Sequence, residues 1–344
     1  MIILIINFII WNVTCTGGIR VYFELINQLI KKGHKVNVVY AEGDYSWFPI
    51  KANMIKVLTH FKYGTWSNMI YSTFSLAKNI PEADVTVATW CFPAFPMFLN
   101  GKGEKFQFFL HYEPLFFNGL KKQFTILSIK LPSIKIVNST WLQKILKEKH
   151  GIDSFLFHPG INHKIFKPIK VKKPKKKRIV CLGKDTVPAK GVQDALEAMK
   201  IVLRKRSDVE LVFYGVSPLV TKTTVPYKFV KFPTDKQLAE LYNSANIVLC
   251  PSWYESFPFP PLEAMATRTP VVTTRLGTED YAFNEENCLV VEPRKPKEMA
   301  EAILRLLSDR YLQEQFRKEG IKTAKKFTWE NSANTVERIF KTHI

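Results

Sequence analysis

Two carboxylates in the second half of the chain bracket a proline-rich stretch, "ESFPFPPLE". Glu255 follows "NIVLCPS", which predicts a buried strand, so it lies at a strand's carboxyl end, where open α/β sheets bind ligands. Pro260 and Pro261 suit the first turn of a helix, because the N–H groups that prolines lack would be unsatisfied there. We therefore expect both Glu255 and Glu263 near a helix N-terminus, with Glu263 in its first turn.

The chemistry expected of this glutamate pair is recognition of a phosphorylated sugar. The positive end of a helix attracts phosphate, and carboxylates accept hydrogen bonds from sugar hydroxyls. Cations that could hold the phosphate occur in "CLGKDTVPAKG", where Lys184 follows a predicted strand and Lys190 precedes a predicted helix. Gly183 and Gly191 beside them allow a close backbone approach.

Two positions in the first half also follow predicted strands. "TGGIR" places Gly17 and Gly18 between the first strand and the first helix, without the GxGxxG spacing of a dinucleotide-binding loop. A bare turn is the alternative interpretation of this glycine pair. His111 in "FFLHYEP" either faces a site or simply closes its strand as an ordinary polar residue.

The elements that position these residues form two successive α/β units. Strand-like runs alternate with helical runs, such as 17–33 with Val21, Leu25 and Leu29 on one face, and this order predicts parallel sheets. The predicted strands are 1–10, 34–41, 83–89, 105–111, 134–139, 178–183, 209–215, 246–252 and 270–274. The predicted helices are 17–33, 139–151 (capped by Ser139 or Thr140), 190–206, 234–245, 260–267 and 329–344.

Composition indicates a folded protein of two domains. The chain has 344 residues, of which 46% are hydrophobic and 13% aromatic. Five scattered cysteines without a CxxC pair favour a reducing, cytoplasmic compartment and argue against structural zinc. "MIILIINFII" is about half the ~20 residues of a membrane-spanning helix and lacks a basic region before it, so we interpret it as a buried strand, with a signal anchor as the alternative.

The net charge of +20 suggests a polyanionic partner: nucleic acid, anionic lipid headgroups or phosphorylated substrates. The run "HKIFKPIKVKKPKKKR", 163–178, has no acidic residue and no hydrophobic periodicity, so it is expected to be a solvated linker. As a nucleic-acid patch it would lack interleaved aromatic residues. An anionic membrane surface is the better alternative, because clustered lysines contribute roughly 1 kcal/mol each there.

The longer stretch "PSWYESFPFPPLEAMATRTPVVTT" resembles the donor-binding signature of the GT-B retaining glycosyltransferases, in particular family 4. The pattern in that family is proline-serine, a glutamate, seven intervening residues, a second glutamate in L-E-A-M, and P-V-V. Further similarities span nearly the whole chain: "GG" before the first helix, "NST", "HPGINHKIFKP", "LGK…KG", "ENCLVVEP" and "FTWENSA".

The resemblance implies a GT-B fold, with two Rossmann-like α/β domains facing each other across a cleft. Residues 1–162 would form the acceptor-binding domain and 179–328 the domain that binds the nucleotide-sugar donor. The basic linker would be 163–178, and the C-terminal helix 329–344 would pack back on the first domain.

The resemblance also implies roles for individual residues. Lys184 and Lys190 would bind the donor pyrophosphate, although many members of the family have arginine at the first position. Glu255 would contact the donor sugar or phosphate, and Glu263 the ribose. Three residues between the glutamates would also lie in the donor site. These are Phe257, Phe259 and Leu262.

In the first domain, Gly17 and Gly18 would let the loop approach phosphate and acceptor, His111 would line the sugar pocket, and Glu113 would lie near the acceptor. Two departures from the family pattern stand out. Pro258 replaces a frequent glycine and supplies no N–H to a phosphate oxygen. His163 replaces an aspartate in the linker.

The implied reaction is transfer of a hexose from a UDP- or GDP-linked sugar to a hydroxyl of a glycan or lipid-linked acceptor, with retention of anomeric configuration. Lys184, Lys190 and the helix beginning near Pro260 would stabilise the departing diphosphate. No DxD motif occurs, so neither a metal nor another cofactor is expected. No residue is assigned as the base that activates the acceptor.

Three alternatives fit parts of the sequence. A non-catalytic GT-B subunit would bind a partner glycosyltransferase or a membrane, but the intact glutamates and lysines argue against it. A nucleic-acid-binding protein explains the charge and not the motif, so no nucleic-acid partner is expected. A sugar-nucleotide epimerase of the same architecture would not need the glutamate pair.

Overall fold

The computed structural model describes residues 2–57, 66–100 and 102–344, with only the backbone of residues 66–69. The chain divides into two units, each built around one parallel sheet with helices. The first comprises Met1–Gly160 together with Trp329–Ile344, and the second Ile161–Thr328. The prediction of two α/β units with parallel sheets is confirmed.

The first unit contains a seven-stranded parallel sheet in the order β3-β2-β1-β4-β5-β6-β7. Its strands are β1 (Ile5–Asn12), β2 (Lys35–Glu42), β3 (Asn53–Lys56), β4 (Val85–Ala88), β5 (Glu104–Phe109), β6 (Ile134–Val137) and β7 (Phe155–Leu156). β1 is central and pairs with β2 and β4. It is almost continuously apolar and buried, as expected of a parallel strand covered on both faces.

Among the described residues, the helices of this unit are α1 (Gly17–Lys31), α2 (Trp66–Lys78), α3 (Cys91–Asn100), α4 (Gly119–Lys130), α5 (Thr140–His150) and, at the C-terminus, α11 (Trp329–Thr342). Val21, Leu25 and Leu29 of α1 are buried, as their spacing predicted. Ser139 rather than Thr140 caps α5, accepting a hydrogen bond from the N–H of Leu142. The sequence did not predict α2, α3 or α4.

The second unit contains a six-stranded parallel sheet in the order β10-β9-β8-β11-β12-β13. Its strands are β8 (Lys177–Leu182), β9 (Val209–Gly215), β10 (Tyr227–Lys231), β11 (Ile247–Cys250), β12 (Val271–Thr274) and β13 (Leu289–Val291). Its helices are α6 (Val192–Lys205), α7 (Asp235–Ser244), α8 (Phe259–Ala266), α9 (Pro296–Ser308) and α10 (Arg310–Ala324). Thr234 and Gln237 form a capping box at the start of α7.

The basic run 163–178 is not a solvated linker along its length, contrary to expectation. Phe166 is buried in the core of the second unit, and the N–H of Ile169 donates to Oδ1 of Asn243. Lys173 Nζ donates to the backbone carbonyl of Asn243 at 2.6 Å. The buried Phe166 ring and the two hydrogen bonds to Asn243 therefore anchor this run to the second unit, where it leads directly into β8.

Three global features bear on the functional classes considered above. In the described part of the chain, no helix combines the length and apolar character needed to cross a membrane. Within the same ranges, no group of three or more His, Cys, Asp or Glu side chains could hold a metal ion. All five cysteines are free thiols, with Cys15 exposed and the other four buried.

Candidate functional site

An ion pair connects two of the predicted site residues in the second unit. The Lys190 Nζ and the Glu255 Oε1 are 2.5 Å apart, and Ser252 Oγ donates to the same oxygen at 2.9 Å. Lys190 ends a short 3₁₀ helix that follows β8, whereas Glu255 lies in the loop after β11. β8 and β11 are neighbours in the sheet, so their carboxyl ends bring together residues that are far apart in the sequence.

Two glycines hold these loops in place. Gly191 has φ 66°, and a Cβ at this position would lie 2.0 Å from the carbonyl oxygen of Pro251. Gly277 has φ 88°, and its Cβ would lie 2.1 Å from the carbonyl oxygen of Glu255. Only glycine fits both the backbone conformation and the space. The sequence suggested that Gly191 allows a close backbone approach, but it did not single out Gly277, which lies shortly after β12.

Helix α8 begins close to its predicted start, with Pro260 and Pro261 in the first turn. Glu263 is the fifth residue of the helix, so its predicted place in the first turn is wrong. It is largely buried and close enough to Tyr214 and Tyr242 for its charge to act on both. Burial is the main cause that raises the pKa of these two tyrosines, whose hydroxyls are 2.7 Å apart. A contact between Glu263 and a ribose stays a prediction.

The residues between the glutamates mainly build the core. Phe257 is buried with its ring against Tyr281 at 5.2 Å, and Leu262 is fully buried. Phe259 is half-buried at the start of α8. The carbonyl of Pro258 accepts a hydrogen bond from the Tyr281 hydroxyl at 2.6 Å. The side chains of Phe257 and Leu262 are enclosed by protein. The expected contact of these two residues with the donor is therefore limited to their backbone groups.

Lys184 lies just beyond β8 with an exposed side chain, at the same carboxyl edge of the sheet as Lys190 and Glu255. The thiol of Cys250, the last residue of β11, is buried, and this burial, helped by the charge of Glu255, raises its pKa to about 11. It is therefore protonated at neutral pH and unsuited to act as a nucleophile. Lys184, Lys190 and Glu255 are the charged residues of this edge that the sequence predicted, and Arg275, directly after β12, adds an exposed cation.

Sequence reasoning missed a side-chain cluster that fixes the loop carrying Glu255. The indole Nε1 of Trp253 donates to Oδ2 of Asp194 at 2.6 Å, and the Arg294 guanidinium lies 3.9 Å from the ring centroid. The backbone N–H of Trp253 also donates to the carbonyl of Ala189. The tryptophan in "PSWYE" was the only part of this cluster visible near Glu255 in the sequence, because its partners come from α6 and from the turn after β13.

At the carboxyl end of β10, Phe232 adopts a left-handed φ of 47° with a largely exposed ring. Its N–H donates to the carbonyl of Gly215, the last residue of β9. Such a conformation is uncommon for a bulky residue and is often found at functional sites. Phe232 therefore presents an aromatic face on the same edge of the sheet as Lys184.

In the first unit, the structure brings Gly18 and His111 together. A Cβ built on Gly18 would lie 3.9 Å from His111 Nε2, and one on Gly17 would meet nothing within 4 Å. Neither glycine has a positive φ, so the fold itself does not require glycine at these positions. The His111 ring is exposed and meets the Phe116 ring edge-on at 5.6 Å between centroids.

Part of the chain matches a known glycosyltransferase family. Residues 176–309 match the family model for glycosyl transferases group 1. The uncharacterized glycosyltransferase MJ1607 of Methanocaldococcus jannaschii is 32% identical over 176 residues, which cover 48% of this chain and 45% of that protein. The matched segments span less than half the length of the curated relatives to which the chain is similar.

Solved structures resemble the whole chain. Sucrose-phosphate synthase from Thermosynechococcus elongatus has a TM-score of 0.83 at 17% identity, covering 98% of each chain. Anabaena Alr3699/HepE in complex with UDP-glucose has a TM-score of 0.81 at 14% identity, covering 98% of this chain and 100% of that one. At such identities the likeness concerns the fold. The chain thus has the predicted GT-B fold, and its segment 176–309 matches the glycosyl transferases group 1 family.

Proposed function

We propose that this protein is a retaining, family 4 glycosyltransferase that moves a hexose from a UDP- or GDP-linked donor to an acceptor hydroxyl in glycan, glycolipid or polysaccharide assembly. The observation that carries the proposal is the Lys190–Glu255 ion pair, beside Lys184, at the carboxyl edge of the second sheet. This edge lies within the segment that matches the glycosyltransferase family. The UDP-glucose bound by the structurally similar HepE supports a nucleotide-sugar donor.

The chemical requirement is to stabilise negative charge on the departing diphosphate. Prolines occupy three of the four positions 258–261, so Phe259 supplies the one backbone N–H there. The start of α8 thus offers few hydrogen-bond donors, and the lysines must provide most of the positive charge. Glu255 would orient Lys190 through Oε1, while Oε2 would accept a hydrogen bond from the donor sugar.

The remaining steps follow from the family resemblance. His111, next to Gly18, would line the sugar pocket, and the leaving phosphate would take the proton of the acceptor hydroxyl. Neither a metal nor another cofactor is proposed, since Lys184 and Lys190 would replace the cation. We further propose that the protein works in the cytoplasm, on an acceptor that is a glycan or is linked to a lipid.

A thermal-shift panel tests the donor site. UDP, GDP and their sugar conjugates would be added with a chelator present to the wild type, Glu255→Gln, Lys184→Ala and a control, Lys318→Ala, on the exposed face of α10. Ligand that binds the native state raises the melting temperature by mass action. We expect one nucleotide series to stabilise the wild type and the control, and at least about tenfold weaker binding by both site variants, since each loses a charged contact.

Equal shifts in all four proteins would contradict the assignment of Lys184 and Glu255. A shift that disappears with the chelator would contradict the metal-independent site. Absence of any shift would favour the non-catalytic alternative. After the donor is known, the anomeric configuration of the product, measured by NMR, decides whether the reaction is retaining.

A further inference from the structure

One face of the first unit exposes apolar side chains from three neighbouring helices. α3 packs against both α2 and α4, and Phe95 of α3 stacks on Phe124 of α4 with 4.2 Å between ring centroids. The exposed residues are Ile70 (58%), Phe74 (62%), Phe98 (44%), Leu99 (51%), Leu120 (75%) and Leu127 (51%). We call these six residues the α2–α4 patch. Neighbouring exposed apolar residues of this kind mark an interaction surface, whereas single ones do not.

The three helices that carry the α2–α4 patch bear charge of one sign. Helices α2, α3 and α4 contain no aspartate or glutamate, whereas Lys78, Lys121, Lys122 and Lys130 are exposed on them. Lysine is depleted in the cores of protein–protein interfaces. Lysine beside apolar side chains is favourable at an anionic bilayer. Its ammonium group contacts the lipid headgroups, while the apolar residues enter the boundary between headgroups and acyl chains. An anionic membrane therefore fits this surface better than a protein partner.

The exposed face of α4 has the pattern of an interfacial helix. Leu120, Gln123, Leu127 and Lys130 follow each other at spacings of three and four residues, so they lie on one side of the helix. Leu120, Gln123, Phe124 and Leu127 line a shallow groove on this side. Such a groove could hold part of an acyl chain.

The apolar surface continues from the α2–α4 patch to the candidate acceptor side of the first unit. Leu115 and Phe116 are exposed in the turn before α4. The Phe116 ring contacts the His111 ring, which lies beside Gly18. A molecule anchored in a bilayer beneath α4 would thus have its polar part close to His111.

We propose that the α2–α4 patch and its lysines dock on an anionic phospholipid bilayer, and that the acceptor is a lipid-anchored molecule that reaches the site beside His111. The docking proposal is argued only from the properties of this surface, whereas the identity of the acceptor rests on the proposed glycosyltransferase function.

Co-sedimentation of the full chain with vesicles tests the docking. Vesicles of phosphatidylcholine alone would be compared with vesicles that also contain phosphatidylglycerol. We expect binding to the anionic vesicles, at least about tenfold weaker for the double variants L120S/L127S and K121E/K122E. Matched controls are K175E/K176E in the basic run and Y311S, an exposed aromatic residue of α10, and both should bind like the wild type.

The nucleotide thermal shift of the same variants separates the two proposals. An unchanged shift together with lost vesicle binding supports docking by the α2–α4 patch and shows that the variants are folded. Vesicle binding without any nucleotide shift in the wild type would support docking and contradict the donor site. Wild-type vesicle binding by L120S/L127S, or an equal loss in K175E/K176E, would overturn the proposal. So would a wild-type dimer that L120S/L127S abolishes.

Discussion

Glu113 is a buried carboxyl group in the turn that carries His111. It is 2% exposed and lies within hydrogen-bond reach of the backbone N–H and the thiol of Cys91, the first residue of α3. Its Oε2 has no hydrogen-bond partner among the residues that the structure describes. Burial raises the pKa of Glu113 well above its usual value. This buried carboxyl group thus connects the His111 turn to α3, and the suggested contact of this side chain with an acceptor does not fit its burial.

The raised pKa of Glu113 predicts a pH-dependent effect of Glu113→Gln. A carboxyl group whose pKa is raised in the folded state contributes stability that is fully present below the unfolded pKa, near 4.5, and is lost as pH rises towards the folded pKa. The free energy of unfolding of the wild type should therefore fall relative to Glu113→Gln above about pH 4.5, by up to about 1.4 kcal/mol per pH unit. Denaturant unfolding between pH 4 and pH 8 measures it.

The exposed Glu104→Gln is the matched control, because this side chain is solvated. Its difference from the wild type should change little with pH. Parallel stability curves for the wild type and Glu113→Gln would mean that Glu113 is ionised in the folded protein.

At the scale of elements, the site depends on the loops that follow β8, β11 and β12. These strands are adjacent in the second sheet, so their carboxyl ends share one edge. The loop after β12 contacts Glu255 directly: the Glu255 N–H donates to the carbonyl of Leu276, and Gly277 leaves no room for a side chain. The loop after β12 therefore positions Glu255, although this loop contains none of the predicted site residues.

Gly277→Ala should disturb both stability and the donor site. The left-handed φ of 88° costs an alanine about 1 kcal/mol, and the contact with the Glu255 carbonyl adds a backbone displacement, so a total loss of about 2–4 kcal/mol is expected. Nucleotide binding should weaken at least about tenfold as Glu255 moves. Denaturant unfolding and the thermal-shift panel measure the two effects.

Gly151→Ala provides the control, because Gly151 has φ 69° but an added Cβ would meet nothing within 4 Å. It should lose only about 1 kcal/mol and bind nucleotide normally. An equal loss of stability in both variants, with nucleotide binding intact, would show that crowding at Gly277 does not position Glu255.

At the scale of the whole molecule, the C-terminal helix completes the first unit from the far end of the chain. Phe340 of α11 packs on Phe106 at 4.7 Å between ring centroids. Glu337 lies 2.8 Å from Lys32 and 2.5 Å from Lys341, and Nε2 of His34 is 3.2 Å away. His34 Nδ1 accepts a hydrogen bond from the N–H of Leu4, so its proton is on Nε2, facing Glu337.

The Glu337 cluster predicts a loss of stability in acid. Burial opposes the charge of Glu337, but hydrogen bonds from Lys32 and Lys341 outweigh it and lower its pKa to about 2. Because the folded pKa is depressed, the stabilisation is present above the unfolded pKa near 4.5 and is lost as pH falls towards 2. Glu337→Gln should therefore lose up to about 3 kcal/mol at pH 7 and much less at pH 3.

Denaturant unfolding at both pH values tests this expectation, with Glu330→Gln on the exposed side of α11 as the control. The free energy of unfolding of this control should match that of the wild type at both pH values. A loss for Glu337→Gln that is the same at pH 7 and pH 3 would mean that packing, rather than charge, accounts for the effect.

The sequence by itself determined the features that are written locally. Apolar periodicity predicted α1 and the central strands, and the spacing of Glu255 and Glu263 with "LGK…KG" pointed to the residues of the proposed donor site. It did not predict α3, where prolines hide the helical pattern, or α4, whose apolar residues lie on more than one side. Short edge strands such as β3 and β7 also gave no periodic signal.

Only the tertiary structure decided which of these side chains stay accessible and which support the fold. It placed Leu262 and Phe257 in the core, made Gly277 a packing requirement of Glu255, and left the α2–α4 patch exposed. The physical reason is that burial and crowding depend on neighbours from distant parts of the chain. Such neighbours meet only when parallel strands place their carboxyl ends at one edge of a sheet and helices cover its faces.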